Sequence, residues 1–314
     1  MPGKTVVISS GDPAGIGPWV SIKALAEVRL PYNTRCVLIG DEYILSKIPG
    51  YRLVKKKVRI INLNNARHIK PGVINKQSGR ASLEYLYKAV EMVKDNSSAA
   101  LVTGPVSKEA VSLNERFLGH TEFLARAFSA SEVLMMMVGK KLRVALLTRH
   151  LLLRKVSFFL RRHDFSQSIS LMISALKGWF GISRPRVGVC SFNPHAGVDT
   201  FLKEEEEAIL AILKKFKNQR VNFIGPYPAD SVFRKAREEK WDCVLSLYHD
   251  QAMIPFRLLE FEKGVNLTVG LPIVRTSPAH GVAAELVRTP YLIKPGSMKE
   301  AVNLALRLLS LQNL

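Results

Sequence analysis

Short apolar runs alternate along the chain with longer segments whose apolar residues recur every three or four positions. The runs read as strands and the periodic segments as helices. Thr5-Val6-Val7-Ile8-Ser9 is the first strand, followed by a Gly/Pro loop and a helix expected from about Trp19 to Val28. A strand over Cys36 to Gly40 precedes a polar helix near Asp41 to Lys47. From Ser78 to Asp95, Leu83, Leu86, Val90 and Val93 share one face of a long amphipathic helix. Ala99 to Thr103 is a strand that turns through Gly104-Pro105 into a helix opening at Ser107. Further strands are expected at Val133 to Val138, Arg143 to Thr148, Arg186 to Phe192 and Cys243 to Leu247. Helices fill the gaps at Phe165 to Trp179 and Glu204 to Phe216. This alternation predicts an α/β protein with crossover helices. A chain of 314 residues exceeds the usual single core, so two lobes are expected. No low-complexity linker divides it, so the lobes are expected to be discontinuous in sequence.

Three of these strands run toward histidines: Leu147-Thr148-Arg149-His150, Asn193-Pro194-His195-Ala196-Gly197 and Tyr248-His249-Asp250-Gln251. Carboxyl ends of strands line the functional crevice of open α/β sheets. Three imidazoles at that kind of address suit a metal site with open coordination positions. Taken one at a time, each reads as an ordinary polar loop residue.

Composition narrows the classes. Hydrophobic residues make up 47% and charged residues 23%, an ordinary globular balance. No secretion signal opens the chain and no apolar stretch reaches the roughly 18 residues of a membrane span, so a cytoplasmic protein is expected. Cys36, Cys190 and Cys243 are scattered and read as buried thiols, not a disulfide framework. The net charge of +20 favours anionic partners. The basic residues are dispersed and accompany no nucleic-acid-binding signature, so a phosphorylated small molecule is favoured over nucleic acid.

Several motifs admit two readings. Gly15-Ile16-Gly17 invites a dinucleotide loop, but the third glycine is missing and prolines intrude, so the Rossmann fingerprint fails. Val102 to Lys108 offers backbone N–H groups and a lysine to an anion. Ser107 as a helix cap accounts for the same residues. His120 and Thr121 present hydrogen bonds to a polar ligand, or Thr121 caps a helix. Asp230 is a candidate acid/base or a turn residue, and Asp250 is placed to orient a histidine. His68 and His163 lie in basic polar segments and read as solvated surface.

As an ordered set, GDPAGIGP, VTGPVSKEA, GHTEF, RVALLTRH, NPHAG, GPYPADSVF, YHDQ, GVNLTVGLP and RTSPAHG make the chain resemble the 4-hydroxythreonine-4-phosphate dehydrogenase family of pyridoxal phosphate biosynthesis. The resemblance spans nearly the whole sequence. It implies two α/β/α lobes of isocitrate/isopropylmalate dehydrogenase-like, non-Rossmann type, with a cleft between them. The first lobe is expected over 1–125 plus 256–314. The second, over 126–255, would carry the metal histidines and the dimer interface. The family's divalent-metal ligands fall on His150, His195 and His249, for Zn, Co, Mg or Mn. Its substrate contacts fall on His120, Thr121, Asn266 and Arg275, and its lysine after the third histidine is Arg257 here. His280-Gly281 matches the superfamily's adenosine-side loop for NAD or NADP. The implied activity is oxidation of 4-phosphooxy-L-threonine followed by decarboxylation, in a homodimer whose active site the partner completes. Asp230, Asp250 and Arg257 are the catalytic candidates, with proton transfer left to Asp230 or Asp250. Arg257 cannot itself exchange protons at neutral pH. Trp19 stands where the family has glutamate, Val198 and Ala279 where it has acidic residues, and Arg149 where it has threonine. These departures keep two alternatives open: a D-threonate or D-erythronate 4-phosphate dehydrogenase on the same scaffold, or a catalytically weak metal- or ligand-binding relative.

Overall fold

The computed structural model describes residues 4–94, 96, 98–197 and 203–311. The chain divides into two compact units, Met1–Ser131 with Val265–Leu314, and Glu132–Gly264. Both crossings fall later than the expected 125 and 255. A helix over His120–Ala127 spans the first expected cut, and one over His249–Glu260 spans the second.

Up to Ser131 the order is β1 (Lys4–Ser9), α1 (Gly17–Glu27), β2 (Thr34–Gly40), α2 (Glu42–Leu45), α3 (Tyr51–Lys57), β3 (Arg59–Asn62), α4 (Lys76–Lys94), β4 (Ala99–Thr103), α5 (Lys108–Ser112) and α6 (His120–Ala127). The second unit holds β5 (Leu134–Val138), β6 (Arg143–Leu146), α7 (Leu153–Arg162), α8 (Ser166–Ser174), β7 (Arg186–Cys190), α9 (Glu204–Lys214), β8 (Asn222–Tyr227), α10 (Ala229–Glu238), β9 (Cys243–Ser246) and α11 (His249–Glu260). The returning segment gives the first unit β10 (Val265–Val269), β11 (Val274–Pro278) and α12 (Gly296–Leu311).

In the first unit the strands lie in the order β3-β2-β1-β4-β11-β10, all parallel except the antiparallel β10–β11 pair. Leu83, Leu86, Val90 and Val93 of α4 are all buried, as the periodicity predicts. Gly79 lets α4 approach α5: a β-carbon there would lie 2.2 Å from the Ala110 carbonyl carbon. Ser107 caps α5 by accepting a hydrogen bond from the Ala110 N–H, satisfying one orphan donor. Thr121 is no cap; it is buried one turn-step inside α6, whose N-cap is Gly119.

In the second unit the order is β5-β6-β9-β7-β8, with β6, β9, β7 and β8 parallel and β5 antiparallel to β6. The helix expected over Phe165 to Trp179 is α8 continued by a π-helical stretch, Ala175–Trp179. The hydrophobic pattern left α3, α7, α10, α11 and α12 undrawn. Basic residues make up most of α3 and interrupt the apolar pattern of α7 and α10, and α11 carries Pro255 in its interior, a helix-breaking signal that packing overrides. Cys36, Cys190 and Cys243 are buried and unpaired with one another, and desolvation pushes each thiol up to about 12.

Candidate active site

Within the second unit, the three histidines stand just past the carboxyl ends of neighbouring parallel strands. β6 ends at Leu146, but Leu147 and Thr148 go on bonding to the Ser246 and Leu247 carbonyls before the chain turns to His150. His249 is the first residue of α11, immediately after β9. His195 lies in the tight Pro194–Gly197 turn after β7, where it and Ala196 take left-handed backbone angles, φ 52° and 55°. Because the sheet order is β6-β9-β7, the three addresses are adjacent.

The His150 and His249 ring centroids are 6.1 Å apart. Bonds of about 2.1 Å place imidazoles that share an ion about 5–6 Å apart, so this pair is near the required spacing. His249 Nδ1 meets Asp250 Oδ1 at 2.7 Å, the carboxylate–imidazole contact that orients a ligand ring and leaves Nε2 for metal. Among the described residues, no group of three or more His, Cys, Asp or Glu side chains is drawn together tightly enough to hold an ion. Donor chemistry and backbone addresses therefore fit a divalent metal, whereas the side chains are not in a closed ligand sphere.

The first unit builds a different constellation. Alternation along the strands puts Asn266 and Thr268 of β10, Arg275 of β11 and Thr103 of β4 on one sheet face, since Arg275 registers with Thr268 and with Leu101. Arg275 is 1% exposed. Its guanidinium donates to Thr268 Oγ1 at 2.9 Å and to Thr103 Oγ1 at 2.6 Å, while Nε has no partner. Desolvation pushes its pKa down to about 10, against the partial support of Glu122. His120 Nε2 and Asn266 Oδ1 are also sealed from solvent without partners. Burial, reinforced by the positive charges of Arg275 and Lys108, drives the His120 pKa well below its ordinary value. A buried guanidinium bonded only to hydroxyls, beside an unprotonated imidazole, is a receptor for an anion with further hydrogen-bonding groups.

The depressed His120 pKa has a pH consequence. Below the ordinary value of 6.5 the unfolded chain takes up a proton that the folded chain refuses. Stability from this group is therefore complete above pH 6.5 and declines as the pH falls below it. The melting temperature of wild type is expected to drop more than that of His120→Gln between neutral and mildly acidic buffer. Parallel profiles for the two proteins would refute the burial argument.

Three motif loops meet beside this face. Asp12 N–H donates to the Pro105 carbonyl at 2.9 Å and Ile16 N–H to the Val282 carbonyl at 3.0 Å. Gly11 adopts φ +80°, and a β-carbon there would strike the Pro105 oxygen at 2.4 Å. The loops after β1, β4 and β11 are thereby fastened together at the carboxyl edge of the first unit's sheet. His280 and Gly281 belong to the last of them, and a β-carbon at Gly281 would meet nothing within 4 Å, leaving that backbone open to a ligand.

The family profile described as pyridoxal phosphate biosynthetic protein PdxA matches residues 27–305. The chain belongs to the PdxA family. It is 36% identical to a 4-hydroxythreonine-4-phosphate dehydrogenase of Yersinia enterocolitica, over 98% of each chain. With the enzyme of that name from Janthinobacterium it shares 34% identity, over 96% of this chain and 95% of the relative. The crystal structure of 4-hydroxythreonine-4-phosphate dehydrogenase from Klebsiella pneumoniae superposes with a TM-score of 0.79, at 30% identity, covering 98% of this chain and 99% of the other. The fold is thus the mixed α/β, non-Rossmann one of the PdxA family.

Against that background the remaining candidates sort by position. Arg257 is exposed on α11 of the second unit, and Asp230 is exposed in the first turn of α10. Neither contacts another candidate through a hydrogen bond or ion pair described among these residues. Trp19 is half-buried on α1, its ring 5.9 Å from Lys23 Nζ. Arg149 donates to the carbonyl of Val133, the residue before β5. Ala279 N–H donates to Ser297 Oγ at 2.9 Å, a backbone bond that any residue there would make. Val198 lies outside the described residues. His68 and His163 are exposed, and His163 stacks on Phe159 at 4.6 Å. Sequence reasoning missed Thr103 and Thr268, the hydroxyl partners of Arg275. Thr103 ends a strand that the sequence shows but carries no mark of its partner, and the signal for Thr268 was the i, i+2 spacing with Asn266 in a strand that was itself not drawn.

Proposed function

We propose that this chain is an NAD(P)- and divalent-metal-dependent 4-hydroxythreonine-4-phosphate dehydrogenase, oxidising 4-phosphooxy-L-threonine and releasing CO2 to form 3-amino-2-oxopropyl phosphate. The observation that carries the reading is the buried Arg275, with its unpartnered Nε and the neighbouring unprotonated His120, in a chain of the PdxA family. That cluster supports a ligand that is both anionic and rich in hydrogen-bonding groups. Arg275 would clamp phosphate or carboxylate by charge-assisted hydrogen bonds. His120, kept neutral by its surroundings, would accept or donate one hydrogen bond without adding charge. Asn266 and Thr121 would fix the remaining polar groups, and Arg257 would contribute a second cation. His150, His195 and His249 would hold one ion, with the Asp250 carboxylate fixing the His249 ring. When bound, the ion supplies Lewis-acid stabilisation of the developing negative oxygen and the nicotinamide accepts the hydride. Proton transfer falls to Asp230 or Asp250, since Arg257 stays charged. His280 and Gly281 would receive the adenosine side of NAD or NADP.

A homodimer is the proposed assembly. Ile254, Leu258 and Phe261 form an exposed apolar stripe at helical spacing along and just past α11, which supports a contact between copies through the second unit. Sedimentation should give twice the monomer mass, and Leu258→Glu should halve it; a wild-type monomer would overturn the assignment. No described helix is long and apolar enough to cross a membrane. The three buried free thiols support a reducing, cytoplasmic setting.

The deciding assay follows NAD(P)H formation from 4-phosphooxy-L-threonine and from D-threonate 4-phosphate, each with and without added Zn²⁺ or Mg²⁺. Metal-dependent turnover of the amino-acid substrate is expected. Turnover of the threonate alone would move the chain to the sister activity. Silence with both would overturn the enzyme reading.

A further inference from the structure

Two adjacent glutamates near the start of α9 are buried, Glu205 at 8% and Glu206 at 4% exposure. Carboxylates tolerate burial only when their oxygens are filled by donors. Glu206 Oε1 accepts from the Phe192 N–H at 2.9 Å and from the Asn193 N–H at 2.7 Å. Its Oε2 accepts from Asn193 Nδ2 at 3.0 Å, which also reaches Glu205 Oε2 at 3.1 Å. The two residues so gripped directly precede the Pro194–Gly197 turn that carries His195. That turn holds His195 and Ala196 in left-handed angles, a conformation that persists only where the surroundings enforce it.

The same pair reaches a second histidine segment. Glu205 Oε1 accepts from Ser157 Oγ on α7, the helix that follows His150, and Arg161 of that helix lies 3.8 Å away. Gln251 completes the set. It is 6% exposed, accepts from the Leu247 N–H at 2.7 Å and donates from Nε2 to the Ser191 carbonyl at 2.8 Å. It thereby ties the turn leading to His249 to the turn leading to His195. Three buried side chains, none a metal donor in its present contacts, link all three histidine-bearing segments.

We infer that Glu206, aided by Glu205 and Gln251, is a positioning brace that sets the backbone of the three histidines for one coordination geometry. The inference rests on the reading of His150, His195 and His249 as metal ligands. It assigns the glutamates to the architecture of the site and gives them no contact with substrate. Outer partners of this kind govern metal affinity without binding metal themselves.

Cobalt titration of the metal-stripped full chain tests it, with the Co²⁺ absorption spectrum and the metal-free melting temperature as separate readouts. Glu206→Ala should weaken Co²⁺ binding roughly 10- to 100-fold and alter the spectrum. Glu206→Gln retains an oxygen for the two backbone N–H groups but sets its amide nitrogen against the Asn193 Nδ2 donor, so it should recover part of that loss. Ile209→Ala, a core truncation in the same helix, controls for stability: it should lower the melting temperature and leave Co²⁺ affinity near wild type. Should Glu206→Ala not fold, Gln251→Leu carries the test with the same expected weakening. Wild-type affinity in Glu206→Ala and Gln251→Leu, or equal weakening in Ile209→Ala, would overturn the brace. Co²⁺ binding that His195→Ala leaves untouched, or none in wild type, would overturn the metal reading and the brace with it.

Discussion

His195→Ala is expected to abolish metal-dependent turnover while leaving the fold in place. On the proposed mechanism a cation stands where negative charge develops on oxygen, and an ion held by two imidazoles in place of three would be both weaker and misplaced. Losing several kcal/mol of charge stabilisation, at about 1.36 kcal/mol per decade, lowers kcat at least about a thousandfold. His195 is exposed in a loop turn, so the melting temperature should move little. His195→Asn is the companion variant, because asparagine accepts the left-handed angles that this position requires. Both variants should lose activity together and keep the same sedimentation coefficient. Activity in metal-stripped His195→Ala equal to wild type would sink the metal mechanism.

Arg275→Met is likewise expected to lose function without losing stability, here at a fully buried position. The guanidinium is fully buried, its own charge is disfavoured there, and its described hydrogen-bond partners are two threonine hydroxyls. Replacing a buried charge by an apolar side chain of similar volume is often neutral or stabilising. The variant should therefore melt no lower than wild type. Without the charge, an anionic substrate would be desolvated and left uncompensated, a loss of about 2–5 kcal/mol, or roughly 30-fold to several thousandfold in kcat/KM. Arg275→Lys should recover only part of it, since a single ammonium cannot reproduce the planar fork that spans Thr103 and Thr268. Unchanged kcat/KM in Arg275→Met would remove Arg275 from the substrate site. A sharp fall in melting temperature would mean that the arginine serves the fold first.

These two residues differ in how they were legible. His195 announced itself: an imidazole within three residues of the end of an apolar run, repeated at His150 and His249, is visible in the linear pattern because strand ends are visible. The strand alternation, the α4 core face and the Ser107 cap were readable for the same reason, since each depends on residues a few positions apart. Arg275 entered the sequence reading only through family resemblance. Its environment joins Thr103 to Arg275 across 172 positions, and no local periodicity records such a pairing.

The local pattern of this chain determined its class, its alternating strands and helices, and the addresses of its histidines. These follow from short-range side-chain periodicity, which the backbone geometry imposes. Tertiary structure decided the rest. Packing carried α11 through Pro255, moved the unit crossings to Ser131 and Gly264, and placed β9 between β6 and β7 so that the strand ends leading to the histidines lie side by side. It also buried Glu205, Glu206 and Gln251 against the histidine turns and sealed a guanidinium among hydroxyls. Burial, and the desolvation that makes a charge costly or a neutral imidazole persist, is a property of distant segments meeting, so it exists only once the chain has folded.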